Sequence, residues 1–322
     1  MQPPTLQDVY RARQIVSRYL SPTPLIRSSG MSEALGCEAY LKLETATPIG
    51  AFKVRGGINL ISQLSQEERE RGVIAASTGN HGQSIAYAAR LFGVRAIIGA
   101  PEGANPDKVA AMRRLGAEVV LKGRDYDEAR EWAEVEAQQK GYRYVHAANE
   151  PLLIAGVATA SLEIMESLPH VQAILVPIGG GSGISGHCVV AKAISPRVQV
   201  IGVQAEKAPS VYLSWKNGRR TETSEASTWA EGLATRTPFD LTLRIIQVHV
   251  EEIVLVSEEE LRQGVRLLLE AAHQLAEGAG AAPAAAAQKL KDRLRGQTVV
   301  LIVSGSNITL DQLRQVLADR DA

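Results

Sequence analysis

The chain has 322 residues, and its 35 Lys plus Arg balance 35 Asp plus Glu to a formal net charge of zero. That length suffices for two domains with separate cores, and the balanced charge offers no long-range field to nucleic acid or an anionic membrane. Hydrophobic residues make up 45% and charged residues 22%, no apolar run approaches a membrane span, and Met1-Gln2-Pro3-Pro4 lacks the pattern of a secretory signal. Cys37 and Cys188 share no C-x-x-C spacing and fit a reducing compartment, so a soluble cytoplasmic protein is expected. The six histidines form no H-x-x-x-H pair, which argues against a zinc site.

In chain order, short β-branched runs predict strands over 39–43, 73–76, 94–99, 117–121, 171–176, 198–203 and 298–303. They are apolar on both alternations, as strands buried on two faces are. Amphipathic stretches lie between them, such as 81–92 with apolar side chains at 85, 86, 88, 89, 91 and 92. The alternation predicts an α/β protein with parallel, open twisted sheets flanked by helices. Residues 257–295 read as two consecutive helices. Ser257 and Glu260 form a capping box for the first, and the second is expected to start near Pro283. The tail of about 18 residues after Ser304 leaves room for one closing helix and, on this reading, no appended regulatory domain.

Four segments carry candidate chemistry. In TPIGAFKVRGG, residues 47–57, Pro48 and Gly50 mark a turn, and Lys53 follows at a helix start beside Arg55. Unpaired helix N–H groups and the neighbouring guanidinium are both expected to disfavour its ammonium form, leaving a better nucleophile for Schiff-base chemistry. Phe52 is placed to pack against a flat ring. In ASTGNHGQSIAYAA, residues 76–89, the run Ser77, Thr78, Gly79, Asn80 and His81 sets hydroxyls and backbone N–H groups at a helix N-terminus, a cradle for a carboxylate.

In VPIGGGSGISGH, residues 176–187, Gly179, Gly180, Gly181 and Gly183 let the backbone wrap an anion, with phosphate the expected guest. The same loop spells G-x-G-x-x-G at Gly181, Gly183 and Gly186, with Glu206 twenty residues on. A dinucleotide-binding oxidoreductase is therefore a competing reading of this loop. In LIVSGSN, residues 301–307, a buried strand ends at Ser304, whose hydroxyl can face the edge of a ligand ring.

Together and in this order, these segments resemble the fold-type II pyridoxal-phosphate enzymes (the tryptophan synthase beta-like architecture), in particular the threonine/serine dehydratase and serine racemase branch. The resemblance covers nearly the whole chain. It implies that Lys53 carries pyridoxal 5'-phosphate as a Schiff base and that Phe52 lies beside the pyridine ring. It also implies that Asn80 bonds the phenolic oxygen and that the substrate carboxylate sits on Ser77, Thr78, Gly79, Asn80 and His81. Gly179, Gly180, Gly181, Ser182 and Gly183 would cradle the phosphate, and Ser304 would face the pyridine nitrogen. Glu277, in AEGAGAA, and Gly232, in WAEGLATRTP, match positions close to the cofactor. A serine facing that nitrogen leaves it neutral, which favours prompt β-elimination over transamination. The implied reaction is displacement of Lys53 by the substrate amine, removal of the Cα proton by Lys53, loss of the β-hydroxyl, and hydrolysis to a 2-oxo acid and ammonia.

The chain departs from the family at Ala51, where serine is usual, and at Ser182, where a fourth glycine is usual. Gly156-Val157-Ala158-Thr159 stands for G-Q-G-T, and Ala148, taken as the position near the substrate side chain, replaces asparagine or phenylalanine. These changes are expected to alter the substrate pocket. Thr78 occupies the place of the second base of racemases, so a racemase on the same scaffold is the alternative. Gln204 and Ser210 stand where a divalent-cation site would need acids, and no metal is expected. The resemblance implies a small domain, 51–149, closing over substrate, inserted into a large cofactor-binding domain of 1–50 plus 150–322, and a homodimer.

Overall fold

The structure, a computed structural model, describes residues 1–318. Ten strands run in chain order: β1 (Leu25–Arg27), β2 (Glu38–Leu43), β3 (Val73–Ala76), β4 (Ala96–Ala100), β5 (Glu118–Leu121), β6 (Arg143–Tyr144), β7 (Ala173–Pro177), β8 (Gln199–Ala205), β9 (Glu252–Val256) and β10 (Thr298–Val303). They form a six-stranded sheet, β1-β2-β10-β7-β8-β9, and a four-stranded sheet, β5-β4-β3-β6. All pairings are parallel except the edge pair β1–β2. Helices flank both sheets, giving the α/β architecture read from the sequence.

The parallel strands are apolar throughout because both faces are covered. In β10, Val299, Leu301 and Val303 join one core cluster, while Val300 and Ile302 join the cluster on the opposite face. That split is the period-two alternation of a strand. The helix Pro151–Ser167 has twelve buried residues, Leu153–Leu162, Ile164 and Met165. It packs against both the helix Lys53–Ser62 and the helix Ser182–Ile194, which carry two of the four segments singled out above.

The expected strands all form, 73–76 and 298–303 with the expected ends and the others with ends displaced by at most two residues. Three further strands carried little signal: β1 and β6 are too short for a period, and β9 is an edge strand with a charged start at Glu252. Residues 258–294 form three helices rather than two, Glu258–Ala272, Gly278–Lys289 and Lys291–Leu294. The Ser257–Glu260 capping box is present. Pro283, expected at a helix start, lies inside the second of these helices, where its missing N–H leaves one backbone bond unmade. That helix starts at Gly278 because Glu277 is extended and donates its N–H to the Gly305 carbonyl at 3.0 Å.

Candidate active site

The carboxyl ends of the central strands lead into the chemistry-bearing segments. Ser77 follows β3, Gly179 follows β7, Ser304 follows β10, and Glu44 follows β2. Sites in open parallel sheets lie at these ends. Here Ser77, Gly179 and Ser304 border one cavity of about 1100 Å³ between the two sheets, while Glu44 is fully buried behind it. The cavity brings together Phe52, Lys53, the run Ser77–His81, the run Gly179–Gly183, Gly232, Glu277 and Ser304.

Lys53 begins its helix. Its Nζ donates to Ser182 Oγ at 2.7 Å and to the Ala147 carbonyl at 3.1 Å, and stands 5.2 Å from the centre of the Phe52 ring. Burial pushes the amine down to about 8, because a low-dielectric surrounding penalises the charged form. Arg55 is not the cause, contrary to the expectation from sequence. Its Nε and Nη2 bond Glu44 at 2.7 and 3.0 Å, and Nη1 and Nη2 bond Glu163 at 2.6 and 2.9 Å. Thr23 and Thr159 accept from the same guanidinium, each at 3.0 Å, and Lys42 joins Glu163 at 2.5 Å. Residues two apart on a helix point to different sides, so Arg55 anchors the back of the helix whose first residue is Lys53. Burial opposes the Glu44 charge, yet the guanidinium overrides it and holds that carboxyl below its ordinary range.

The run after β3 leads into the first turn of the helix Asn80–Leu91, with Gly79 as its N-cap. Ser77 Oγ accepts from the N–H groups of Gly79 and Gly82 at 3.0 and 2.8 Å. His81 Nε2 lies 3.2 Å from the Val145 carbonyl, which requires Nε2 to be the donor. Burial first, then the Lys53 charge, pushes this imidazole down to about 3. Neutral and protonated at Nε2, its side chain has no N–H left for a carboxylate. Any contribution of His81 to anion binding therefore comes from its backbone N–H. Thr78 is half-buried on the cavity wall.

Asn80 Nδ2 donates to Glu277 Oε1 at 2.7 Å, and Asn80 Oδ1 accepts from Asn307 Nδ2 at 2.7 Å. Asn307 was not singled out by the sequence, although it closes the same LIVSGSN segment. Burial pushes the Glu277 carboxyl up, against the opposing pull of Lys108 and Asn80.

The glycine loop fits a phosphate. Gly181 has φ +90°, and a Cβ at Gly179 would lie 2.0 Å from the Gly232 carbonyl oxygen. The two loops therefore touch backbone to backbone, at positions only glycine can fill. Ser182, 1% exposed, opens the next helix, so its first-turn N–H groups are free of intrahelical partners and available to an anion. Ser304 directly follows β10, and its carbonyl accepts from the Phe52 N–H at 3.0 Å. A flat ring bearing an aldehyde and a phosphate, as in pyridoxal phosphate, matches this set of an amine, a glycine cradle and Phe52.

Ala148 is fully buried and does not line the cavity, which is bordered by its neighbours His146, Ala147 and Asn149. A Cβ at Gly180 would meet Ala148 at 3.2 Å. Position 148 thus packs behind the glycine loop and does not face a substrate, correcting the placement read from sequence. Gln204 and Ser210 are occupied in internal bonds, to the Tyr212 N–H at 2.9 Å and the Thr235 carbonyl at 2.5 Å. Glu206, the acid required by the dinucleotide reading, lies outside the cavity, 3.7 Å from Lys289.

Cross-cavity ion pairs also escaped the sequence. Lys108 meets Glu231 at 2.6 Å, and Asp127 pairs with Arg236. Each joins a helix flanking the smaller sheet to the long segment 218–239.

The chain is 43% identical to an L-threonine ammonia-lyase of Thermotoga maritima over 97% of this chain and 78% of that protein. The processed form of threonine deaminase isoform 2 from Solanum lycopersicum superposes with a TM-score of 0.92 at 31% identity, covering 98% of this chain and 90% of that one. A serine racemase from maize superposes with a TM-score of 0.92 at 28% identity, covering 98% and 97%. The family described as pyridoxal-phosphate dependent enzyme matches residues 16–305, and the chain belongs to it.

Proposed function

We propose that this protein is an ammonia-lyase that uses pyridoxal 5'-phosphate to remove water and ammonia from a small 3-hydroxy amino acid, with L-threonine the foremost substrate. The observation that carries this reading is the Lys53 amine, pushed down to about 8 by burial and facing the cavity beside Phe52 and the glycine loop. The threonine ammonia-lyase and threonine deaminase relatives support the choice of substrate.

On this reading Lys53 bears the cofactor, Phe52 and Ser304 border its ring, and Asn80, Gly232 and Glu277 flank it. Gly179, Gly180, Gly181, Ser182 and Gly183 hold the phosphate through backbone N–H groups and the Ser182 hydroxyl. Bound pyridoxal phosphate supplies the electron sink that weakens the substrate Cα–H bond. Lys53 Nζ, once neutral, accepts the Cα proton. The backbone N–H groups of Thr78, Asn80 and His81 orient the substrate carboxylate at the helix N-terminus, in a turn that Ser77 Oγ holds through the Gly79 and Gly82 N–H groups. The Lys108–Glu231 and Asp127–Arg236 pairs keep segment 218–239 across the cavity mouth and so limit water.

Incubation with L-threonine or L-serine tests the activity. Release of 2-oxo acid and ammonia by the parent, absent in Lys53→Ala, is the expected result. A second reading, racemisation, rests on the Thr78 hydroxyl at the cavity wall. Thr78→Ala is then expected to lose any racemisation while retaining elimination.

We further propose that residues 51–149 form a small domain closing over substrate, inserted into a large domain of 1–50 plus 150–322. The smaller sheet supports this, since its strands all fall between Val73 and Tyr144. A homodimer is proposed on family resemblance, with light scattering of the eluted protein as its test. The cytoplasm is proposed from the two free, buried cysteines.

A further inference from the structure

We propose that Ser182 is a positioning residue whose hydroxyl docks the Lys53 amine whenever that amine is released from the cofactor. The proposal rests on the reading of Lys53 as the cofactor-bearing lysine.

Ser182 is where this chain replaces the fourth glycine of the loop. A glycine there would offer Lys53 no acceptor, leaving only the Ala147 carbonyl. With serine, Nζ donates to Oγ at 2.7 Å and to the Ala147 carbonyl at 3.1 Å. A neutral amine has two N–H donors and one lone pair. Two acceptors satisfy both donors and leave the lone pair free, while an ammonium would have a third N–H unserved. Ser182 is 1% exposed, so its hydroxyl is held in one place, and a hydrogen bond left unmade at so buried a group is costly.

Ser182 is also rigidly placed. It is the first residue of the helix Ser182–Ile194, after Gly181 at φ +90°. The left-handed Gly181 turns the chain into that helix, and Thr242 Oγ1 fixes the preceding residue by donating to the Gly180 carbonyl at 2.9 Å. Among the described residues no acceptor takes the hydrogen of the Ser182 hydroxyl itself, so that O–H is free to donate to a phosphate while its oxygen accepts from Lys53.

When a substrate amine takes the place of Lys53 on the cofactor, the released lysine must occupy a defined position from which to receive the Cα proton and later to return. Docking on Ser182 lowers the free energy of that released state. The consequence is thermodynamic: an amino acid that displaces Lys53 binds more tightly than it would with glycine or alanine at 182.

The test uses the holoenzyme and glycine, which has an amine and a carboxylate but no β-leaving group. Its apparent Kd is read from the change in the visible band for the parent, Ser182→Gly, Ser182→Ala and Ser182→Thr. Propionate, with a carboxylate but no amine, serves as the ligand that leaves Lys53 in place, read by its competition with glycine. The proposal expects the glycine Kd to rise about fivefold to tenfold in Ser182→Gly and Ser182→Ala, the worth of one hydrogen bond. It expects Ser182→Thr to restore it to within about twofold and propionate to bind all four proteins alike. An unchanged glycine Kd in Ser182→Ala would overturn the proposal, as would a parallel loss of propionate binding, which would make Ser182 a pocket residue. A parent protein with no visible band on adding pyridoxal phosphate would instead be a failure of the assignment of Lys53, recognisable before Ser182 is varied.

Discussion

Asn80 Nδ2 and Glu277 Oε1 meet at 2.7 Å, tying the first turn after β3, in the smaller sheet, to the helix that begins at Gly278. Glu277 also donates its backbone N–H to Gly305 at 3.0 Å, so it touches the strand end that carries Ser304. Asn307 completes the arrangement by donating to both Asn80 Oδ1 and the Ile49 carbonyl, at 2.7 and 2.9 Å. One carboxylate and two amides thereby register four chain segments around the cavity.

Glu277→Ala removes the acceptor and leaves the Asn80 amide without its partner. Unfolding free energy, measured in urea, is expected to fall by about 1–3 kcal/mol, with Glu277→Gln losing less than about half of that. Because burial raises this carboxyl, folding favours its protonated form. Its contribution is present at low pH and is lost as pH rises through the raised value. Glu277→Gln should abolish that part of the pH dependence.

The Lys53 amine gives the opposite slope. Its pKa falls from 10.5 to about 8 on folding, so the unfolded chain binds more protons between those values and stability rises with pH across that window. In cofactor-free protein, urea midpoints of the parent are expected to climb from pH 8 to 10.5 relative to Lys53→Met, which lacks the group. Parallel curves would contradict the assignment of a buried, depressed amine.

Arg55 neutralises two carboxylates deep in the protein, Glu44 at 0% and Glu163 at 15% side-chain exposure. Arg55→Met leaves both without their main partner, and breaking such a pair from one side costs about 3–5 kcal/mol. Urea denaturation of Arg55→Met should show a loss of that size. Arg55→Lys, which keeps the charge but not the forked geometry, should recover only part of it.

Gly179→Ala would set a Cβ 2.0 Å from the Gly232 carbonyl oxygen. Both loops must move apart, at a cost of about 1–3 kcal/mol typical of overpacking. Affinity for pyridoxal phosphate, measured by fluorescence titration, is expected to drop by roughly tenfold or more while the circular dichroism of the fold is kept.

Much of this was legible because parallel strands buried on both faces announce themselves as apolar runs, and the polar residues that follow them fall at one end of the sheets. Val73–Ala76 followed by Ser77, and Thr298–Val303 followed by Ser304, are clear cases. Other features depend on long-range pairing, which no local pattern carries. Arg55 reads as a neighbour of Lys53 in sequence, but helix geometry turns it toward Glu44 and Glu163. Ala148 sits beside two cavity residues yet faces the opposite way. Asp127 and Arg236 are 109 residues apart, and only the folded chain joins them. The buried His81 imidazole shows the limit of residue type alone: histidine suggests a cation, whereas its bond to Val145 and its burial make it neutral.

The central claim is that Lys53 bears pyridoxal phosphate in a site built for elimination. The direct measurement is the visible absorption spectrum of the purified protein and of Lys53→Ala, each with added pyridoxal phosphate, before and after L-threonine. The account predicts a visible band that depends on Lys53, a change in that band on adding L-threonine, and release of 2-oxo acid by the parent alone. A protein that stays colourless, or a variant with the same band and the same 2-oxo acid release as the parent, would contradict it.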